Sequence, residues 1–180
     1  LSLRRQRQMC IRDRYNTYPE FKQWNAMNMS RTAGFSIDSL ENSRPVEFDV
    51  ETPDQAEEMF DVLTYEKGST VLRMFQMFIG EEAFQNGVEA YLNKFKFENT
   101  NSSDLWDALS EASNQPLNKI LPFWIREKGY PFLQVDCSNN LLTIKQKPFL
   151  LKNVDTVKKN IKPVPCLLYT SDAADEGLGV

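Results

Sequence analysis

A long stretch of this chain repeats apolar residues at three- and four-residue spacing, and this pattern constrains the fold more than any other feature. The repeat is interrupted at Gly80, Ser103 and Pro116, which are residue types that end or begin helices. Each piece buries one face, as an amphipathic helix does. We therefore predict four helices here: one from Tyr65 or Lys67 to Gly80, one over 81–95, one over 103–112 and one from Pro116 to Gly129.

The region before residue 65 carries weaker helix signals. A helical stripe follows Pro19, Gly34 is expected to end it, and residues 36–40 could form a second short turn. Thr52, with Gln55 three residues later, has the spacing of a capping box, in which each side chain bonds the other's backbone N–H. This signature predicts a short helix that ends at about residue 60.

After Gly129 the apolar pattern changes from the helical period to that of strands. Residues 132–135 and 141–144 flank an Asn139-Asn140 turn and predict a β-hairpin. Two strands are too few for a stable sheet, so we interpret the hairpin as the first strands of a larger β-region. Residues 158–165 are polar, contain proline and carry no assignment. The predicted fold class is mainly α.

Composition excludes several function classes. The 180-residue chain has a net charge of −4 and no recurring basic face, which argues against nucleic-acid binding. It contains no apolar run near the roughly 18 residues that a membrane span requires. Only Cys137 lies away from the chain ends, so neither a disulfide framework nor a cysteine zinc site is predicted. A reducing compartment is thereby allowed.

The two ends differ in character from the body of the chain. Residues 4–13 and 167–175 can be encoded by one oligonucleotide and by its reverse complement read in a shifted frame, and this oligonucleotide resembles a sequencing-library adapter. We therefore expect residues 1–14 and 166–180 to be adapter-like, non-native segments and leave them out of the fold prediction. Residues 1–14 show no helical or strand period.

The residues that could carry chemistry are few, because the chain contains no histidine. Catalytic triads that use histidine and histidine–zinc sites are thereby excluded. Tyr65 is the one candidate, since a tyrosine hydroxyl at the entry to a helix can donate a hydrogen bond to a developing oxyanion. Gly68 removes a side chain from the same turn. The residues alone favour a buried tyrosine whose hydroxyl is merely hydrogen-bonded.

The segment 59–68, MFDVLTYEKG, resembles the Tyr-x-Lys-Gly region of the zinc aminopeptidases of the aminopeptidase N family, and the VLRM sequence at 71–74 continues the likeness. Further similar segments follow the family's order: SRPV at 43–46, NT at 99–100, DLWDA at 104–108, WI at 124–125 and GYP at 129–131. The likeness covers about residues 15–150 and is nearest to the bacterial members, for which a cytoplasmic location is the expectation.

This resemblance implies an architecture and a role for Tyr65. Residues 15–129 would form the helical C-terminal part of a thermolysin-like catalytic domain, and residues 130–165 the start of a β-sandwich domain. Tyr65 would polarise the scissile carbonyl and stabilise the tetrahedral intermediate beside zinc, in an enzyme that removes N-terminal residues from peptides. Lys67 and Gly68 match the motif too, and we assign them to local structure.

The family's zinc site is not carried by this sequence. Its ligands lie on a His-Glu-x-x-His helix and on a later glutamate, all upstream of the matched segments. We therefore expect an interior fragment of the enzyme that binds no zinc and is inactive alone. Two alternatives stay open: a non-catalytic helical module whose aromatic-rich faces bind a partner, and a relative with other chemistry, such as a leukotriene hydrolase-like enzyme.

Overall fold

The computed structural model describes residues 2–139, 141–149 and 162–165. Helices dominate this part of the chain and are followed by one antiparallel strand pair, which confirms the mainly α prediction. The elements are α1 (Ser2–Thr17), α2 (Gln23–Asp38), α3 (Pro53–Glu58), α4 (Gly68–Ile79), α5 (Glu81–Lys94), α6 (Ser102–Ser113), α7 (Leu117–Ile125), β1 (Tyr130–Ser138) and β2 (Leu141–Phe149). A 3₁₀ turn, Pro19–Phe21, precedes α2, and a π-helical turn, Leu63–Lys67, precedes α4.

The predicted helix boundaries are confirmed where capping chemistry is strong. Gly80 has a φ of 87° between α4 and α5, a conformation that glycine adopts without strain. Thr52 and Gln55 form the expected capping box at the start of α3. The prediction that Ser103 caps α6 is wrong by two residues. Asn101 is the cap, because its side chain and that of Asp104 bond each other's backbone.

Gly34 does not end a helix, contrary to the prediction. Helix α2 continues through it to Asp38 and includes most of the short turn expected over 36–40. A glycine inside a helix costs about 1 kcal/mol relative to alanine. Here α2 crosses the π-helical turn at Gly34, where an added Cβ would lie 3.5 Å from the backbone nitrogen of Lys67. Tertiary packing at this crossing therefore overrides the local signal.

The first residues also depart from the prediction. Residues 1–14 show no apolar period, yet Ser2–Thr17 is helical. Arginine, glutamine, methionine and leucine are good helix formers, so propensity favours a helix here without a strong apolar face. At its end the ring of Tyr15 lies 6.0 Å from that of Trp24 on α2. The adapter-like origin of residues 1–14 remains a prediction.

The hydrophobic core lies between α4, α5, α6 and α7. Its most enclosed members, with no exposed surface, are Phe75, Leu109, Leu117 and Leu121. Helices α5 and α6 approach closely at Gly87, where a Cβ would lie only 2.9 Å from Leu109 Cδ2. This glycine is therefore required by packing rather than by backbone conformation. The rest of the core consists of Val46, Val71, Leu72, Phe84, Val88, Tyr91, Leu105, Trp106, Trp124 and Ile125.

The predicted hairpin is confirmed and is longer than expected. Its strands pair from Tyr130 with Phe149 to Ser138 with Leu141, which leaves a two-residue loop at 139–140. Most hairpin side chains are exposed. Trp124 Nε1 donates to the carbonyl of Pro163 at 2.8 Å, so residues 162–165 contact α7. Within the described residues no helix is long and apolar enough to cross a membrane.

Candidate active site

Tyr65 lies in the π-helical turn Leu63–Lys67, directly before α4. The turn is wider than an α-helical one, since the N–H of Gly68 reaches the carbonyl of Leu63 five residues back. Such single π turns occur often at functional sites. Tyr65 is half-buried, and its ring lies 6.5 Å from the exposed ring of Phe60. The tyrosine is therefore held by a specialised backbone and keeps part of its side chain at the surface.

A side-chain network stabilises the N-terminal side of this turn. Asp61 Oδ1 accepts a 2.8 Å hydrogen bond from the N–H of Thr64 and lies 2.7 Å from Arg44 Nη2. The same nitrogen donates to Thr64 Oγ1 at 3.1 Å. The segments 43–46 and 59–68, far apart in sequence and both part of the family resemblance, are thus in direct contact.

A buried ion pair stabilises the C-terminal side. Lys67 Nζ lies 2.7 Å from Asp38 Oδ2, and the two side chains are 8% and 2% exposed. Burial lowers the pKa of Lys67, while the charge of Asp38 and the hydrogen bond to it act in the opposite direction. Asp38 Oδ1 also accepts from the N–H of Gly129 at 2.8 Å and from Ser43 Oγ at 3.0 Å. Lys67 therefore joins the turn to α2, and its assignment to local structure stays a prediction.

A second buried lysine lies beside this pair. Lys162 Nζ donates to the carbonyls of Glu127 at 3.1 Å and Gly129 at 2.8 Å. The pKa of Lys162 is lowered to about 8, mainly by burial and to a smaller extent by the positive charge of Lys67. The carboxylates of Asp38 and Glu127 act in the opposite direction. The junction of α7 and β1 thus contains two lysines near a single buried carboxylate.

An apolar cavity of 240 Å³ opens next to the buried pair, between α2, α4, α7 and β1. Asp38 and Lys67 line it, together with apolar side chains that include Phe35, Met74 and Trp124. Tyr65 is not among its lining residues. The two sides of the turn therefore have separate surroundings, and the cavity is not the site that Tyr65 faces.

The residues present do not fit a zinc site. The sequence has no histidine, and the part of the chain that the structure describes contains no group of three or more acidic, cysteine or histidine side chains that could hold a metal ion. The two cysteines in the described part of the chain, Cys10 and Cys137, are exposed and form no disulfide. Any chemistry of these residues therefore depends on Tyr65 and not on a metal bound by the described part of the chain.

Sequence comparison identifies the family. Residues 7–124 match the Peptidase family M1 domain. The chain belongs to peptidase family M1. The match begins inside the segment that we predict to be adapter-like, and it ends within α7, before the hairpin.

Several aminopeptidases are similar to this M1 chain over most of its length. Aminopeptidase M1-A of Oryza sativa subsp. japonica is 36% identical over 157 residues, which are 86% of this chain and 18% of that protein. Puromycin-sensitive aminopeptidase of Caenorhabditis elegans is 36% identical over 82% of this chain and 16% of its own length. Probable aminopeptidase 1 of Sulfurisphaera tokodaii is 44% identical over 66% of this chain and 15% of its own length. The M1 chain thus spans less than a fifth of these three relatives.

The sequence predicted Tyr65 but missed the residues that surround its turn. Arg44 and Asp61 lay inside segments recognised for their resemblance to the family, which is the one signal that could have found them. Asp38 and Lys162 carried no signal, because a single acidic or basic residue in a sequence is usually solvated. Their burial is visible only once α2, the π-helical turn and residues 162–165 are brought together.

Proposed function

We propose that this M1 chain is part of a zinc metallo-aminopeptidase and that Tyr65 stabilises the transition state of peptide-bond hydrolysis. The observation that carries the proposal is the placement of Tyr65. It lies on a π-helical turn whose two sides are stabilised by the pairs Arg44–Asp61 and Lys67–Asp38, and its own side chain is half-buried. Single π-helical turns occur frequently at functional sites, which supports a role for Tyr65 beyond packing.

The chemical contribution of Tyr65 follows from its hydroxyl. When water attacks a peptide carbonyl, negative charge develops on the carbonyl oxygen, and a phenolic O–H held nearby donates a hydrogen bond that is strongest to that charged oxygen. Loss of one such donor typically lowers turnover about 10²–10³-fold. The substrates would be peptides with a free N-terminus, as expected from the names of the similar aminopeptidases.

The metal would supply the Lewis acid and the activated water of such an enzyme. Since this chain has no histidine, we propose that the zinc ligands belong to other segments of a longer protein and that the 180 residues alone are inactive. We further propose that domain boundaries lie at residues 129 and 165. A bacterial source and a cytoplasmic location are also part of the proposal. The alternatives, a non-catalytic module or a leukotriene hydrolase-like enzyme, lack a specific structural observation in their favour.

The decisive experiment is Tyr65→Phe in the longer enzyme. We expect turnover of an aminoacyl substrate to fall about 10²–10³-fold, with zinc content unchanged by metal analysis. Tyr91→Phe is a control that removes the same hydroxyl from another part of the chain: Tyr91 is buried on α5, its hydroxyl contacts Thr100 Oγ1 at 2.6 Å, and its loss should leave turnover near the wild-type value. Full turnover in the Tyr65→Phe enzyme would contradict the proposed role.

The inactivity of the isolated chain is tested separately. The purified 180-residue protein, incubated with zinc and an aminoacyl substrate, should release no product above the uncatalysed rate. Product release that depends on added zinc would show that the chain assembles a metal site by itself and would refute this part of the proposal.

A further inference from the structure

The guanidinium of Arg44 contacts four acceptors around the turn that carries Tyr65. Its Nη1 donates to the carbonyl of Pro45 at 2.8 Å. Its Nη2 donates to the carbonyl of Glu58 at 3.1 Å and to Thr64 Oγ1 at 3.1 Å, and it lies 2.7 Å from Asp61 Oδ1. One side chain from the α2–α3 loop thus joins the end of α3 to the beginning of the π-helical turn.

Asp61 transmits this contact to the backbone next to Tyr65. Its Oδ1 accepts the N–H of Thr64 at 2.8 Å, and its main-chain carbonyl accepts the N–H of Tyr65 at 3.1 Å. The carboxylate would otherwise be free to rotate toward solvent, since the Asp61 side chain is 38% exposed. Arg44 holds it in the orientation that caps Thr64.

We propose that Arg44 is a positioning residue that fixes the orientation of Tyr65 through Asp61 and Thr64. The inference rests on the proposed catalytic role of Tyr65 and extends it to a residue for which the resemblance implies no role. Catalysis by a hydrogen-bond donor depends on its placement, and a displacement of about 1 Å can lower a rate by about 100-fold. Loosening of the turn would therefore reduce turnover without removing any reacting group.

The chemistry of arginine explains why another cation would not replace it. A guanidinium presents several N–H groups in one plane and bonds several acceptors at once, whereas an ammonium is a compact charge on a flexible stem. Lysine at position 44 could pair with Asp61 through its single nitrogen but could not at the same time bond the carbonyl of Pro45, which Arg44 reaches through its second terminal nitrogen, Nη1. We expect the kcat of Arg44→Lys to lie between that of the wild type and that of Arg44→Gln.

The test compares Arg44→Gln with Tyr65→Phe and with their double variant in the longer enzyme. We expect Arg44→Gln to lower kcat at least about tenfold with KM nearly unchanged, and to have little further effect when Tyr65 is already phenylalanine, because both changes act on one group. Amide hydrogen exchange should accelerate over residues 63–67 in the Arg44→Gln enzyme, which is a readout independent of activity.

The chain offers a matched control in Arg126→Gln. Arg126 also pairs with a carboxylate, Glu47 Oε1, through Nη2 at 3.1 Å and Nε at 3.3 Å. In the described part of the chain this pair bonds neither Asp61 nor Thr64, so kcat and exchange over 63–67 should stay near the wild-type values.

The outcomes separate the two proposals. Full turnover in Tyr65→Phe overturns the catalytic role of Tyr65 and with it the positioning role of Arg44. If Tyr65→Phe is impaired while Arg44→Gln keeps its kcat, only the positioning role is overturned. The positioning role is also overturned if Arg44→Gln lowers kcat by the same factor in the Tyr65→Phe enzyme as in the wild type.

Discussion

The two sides of the turn that carries Tyr65 are stabilised by ion pairs in very different surroundings. On the C-terminal side, Lys67 and Asp38 are almost completely buried. On the N-terminal side, Arg44 and Asp61 are 22% and 38% exposed. Removal of one partner from a buried pair leaves an uncompensated charge in a low dielectric, whereas a partly exposed charge is solvated by water. The first pair therefore governs stability, and the second can adjust geometry at little cost to the fold.

The largest expected effect is that of Lys67→Met, which leaves the Asp38 carboxylate buried without its partner. We expect the free energy of unfolding to fall by about 3–5 kcal/mol, measured by urea denaturation. The double variant Asp38→Asn, Lys67→Met should recover part of this loss, since the uncompensated charge is then removed. A single variant as stable as the wild type would contradict the comparison.

The second prediction concerns pH and Lys162, which lies on the buried side. Its pKa of about 8 in the folded chain is below the ordinary value of 10.5. Between these two values the unfolded chain binds more protons, so the free energy of unfolding should rise with pH, by up to about 3 kcal/mol. Below about pH 8 this gain is absent, because Lys162 is protonated in both states.

Lys162→Met isolates this contribution from the other groups that titrate at high pH. The free energy of unfolding of the wild type minus that of Lys162→Met, measured from pH 7 to 10.5, should increase as pH rises. A difference that does not vary with pH would mean that Lys162 keeps its ordinary pKa in the folded chain.

A smaller effect is expected on the partly exposed side. Arg44→Gln should lower the free energy of unfolding by only about 1 kcal/mol, because exposed and half-exposed ion pairs contribute little. Urea denaturation of Arg44→Gln and Lys67→Met under the same conditions compares the loss of unfolding free energy on the two sides of the turn. A loss as large as that of Lys67→Met would show that the Arg44 network also governs stability.

The smallest effect is expected where α2 crosses the turn. Gly34→Ala should raise the free energy of unfolding by about 0.5 kcal/mol, because alanine favours a helix and the added Cβ would make an ordinary contact, 3.5 Å from the nitrogen of Lys67. Gly87→Ala is the contrasting control, since its Cβ would clash with Leu109. A destabilised Gly34→Ala chain would indicate a crossing too tight for any side chain.

Local signals predicted much of the helical body and little of the site. Gly80 and the capping box at Thr52 ended or began helices as expected, because these residues act on the backbone beside them. Gly34 misled the prediction because packing of α2 against the π-helical turn outweighs a local cost of about 1 kcal/mol. Over residues 1–14 the error was the reverse: the absence of an apolar period gave no helix prediction, yet the structure has a helix there.

The sequence by itself determined the family resemblance and the succession of amphipathic helices, and it singled out Tyr65 as the candidate for oxyanion stabilisation. These properties depend on residue types and short spacings, which can be recognised before the chain is folded. Only the tertiary structure decided that Arg44 reaches Asp61, that Lys67 is buried against Asp38 and that Tyr65 lies on a π-helical turn between them. The two ion pairs join residues 17 and 29 positions apart, whose contact and burial are set by how the helices pack and not by any local preference.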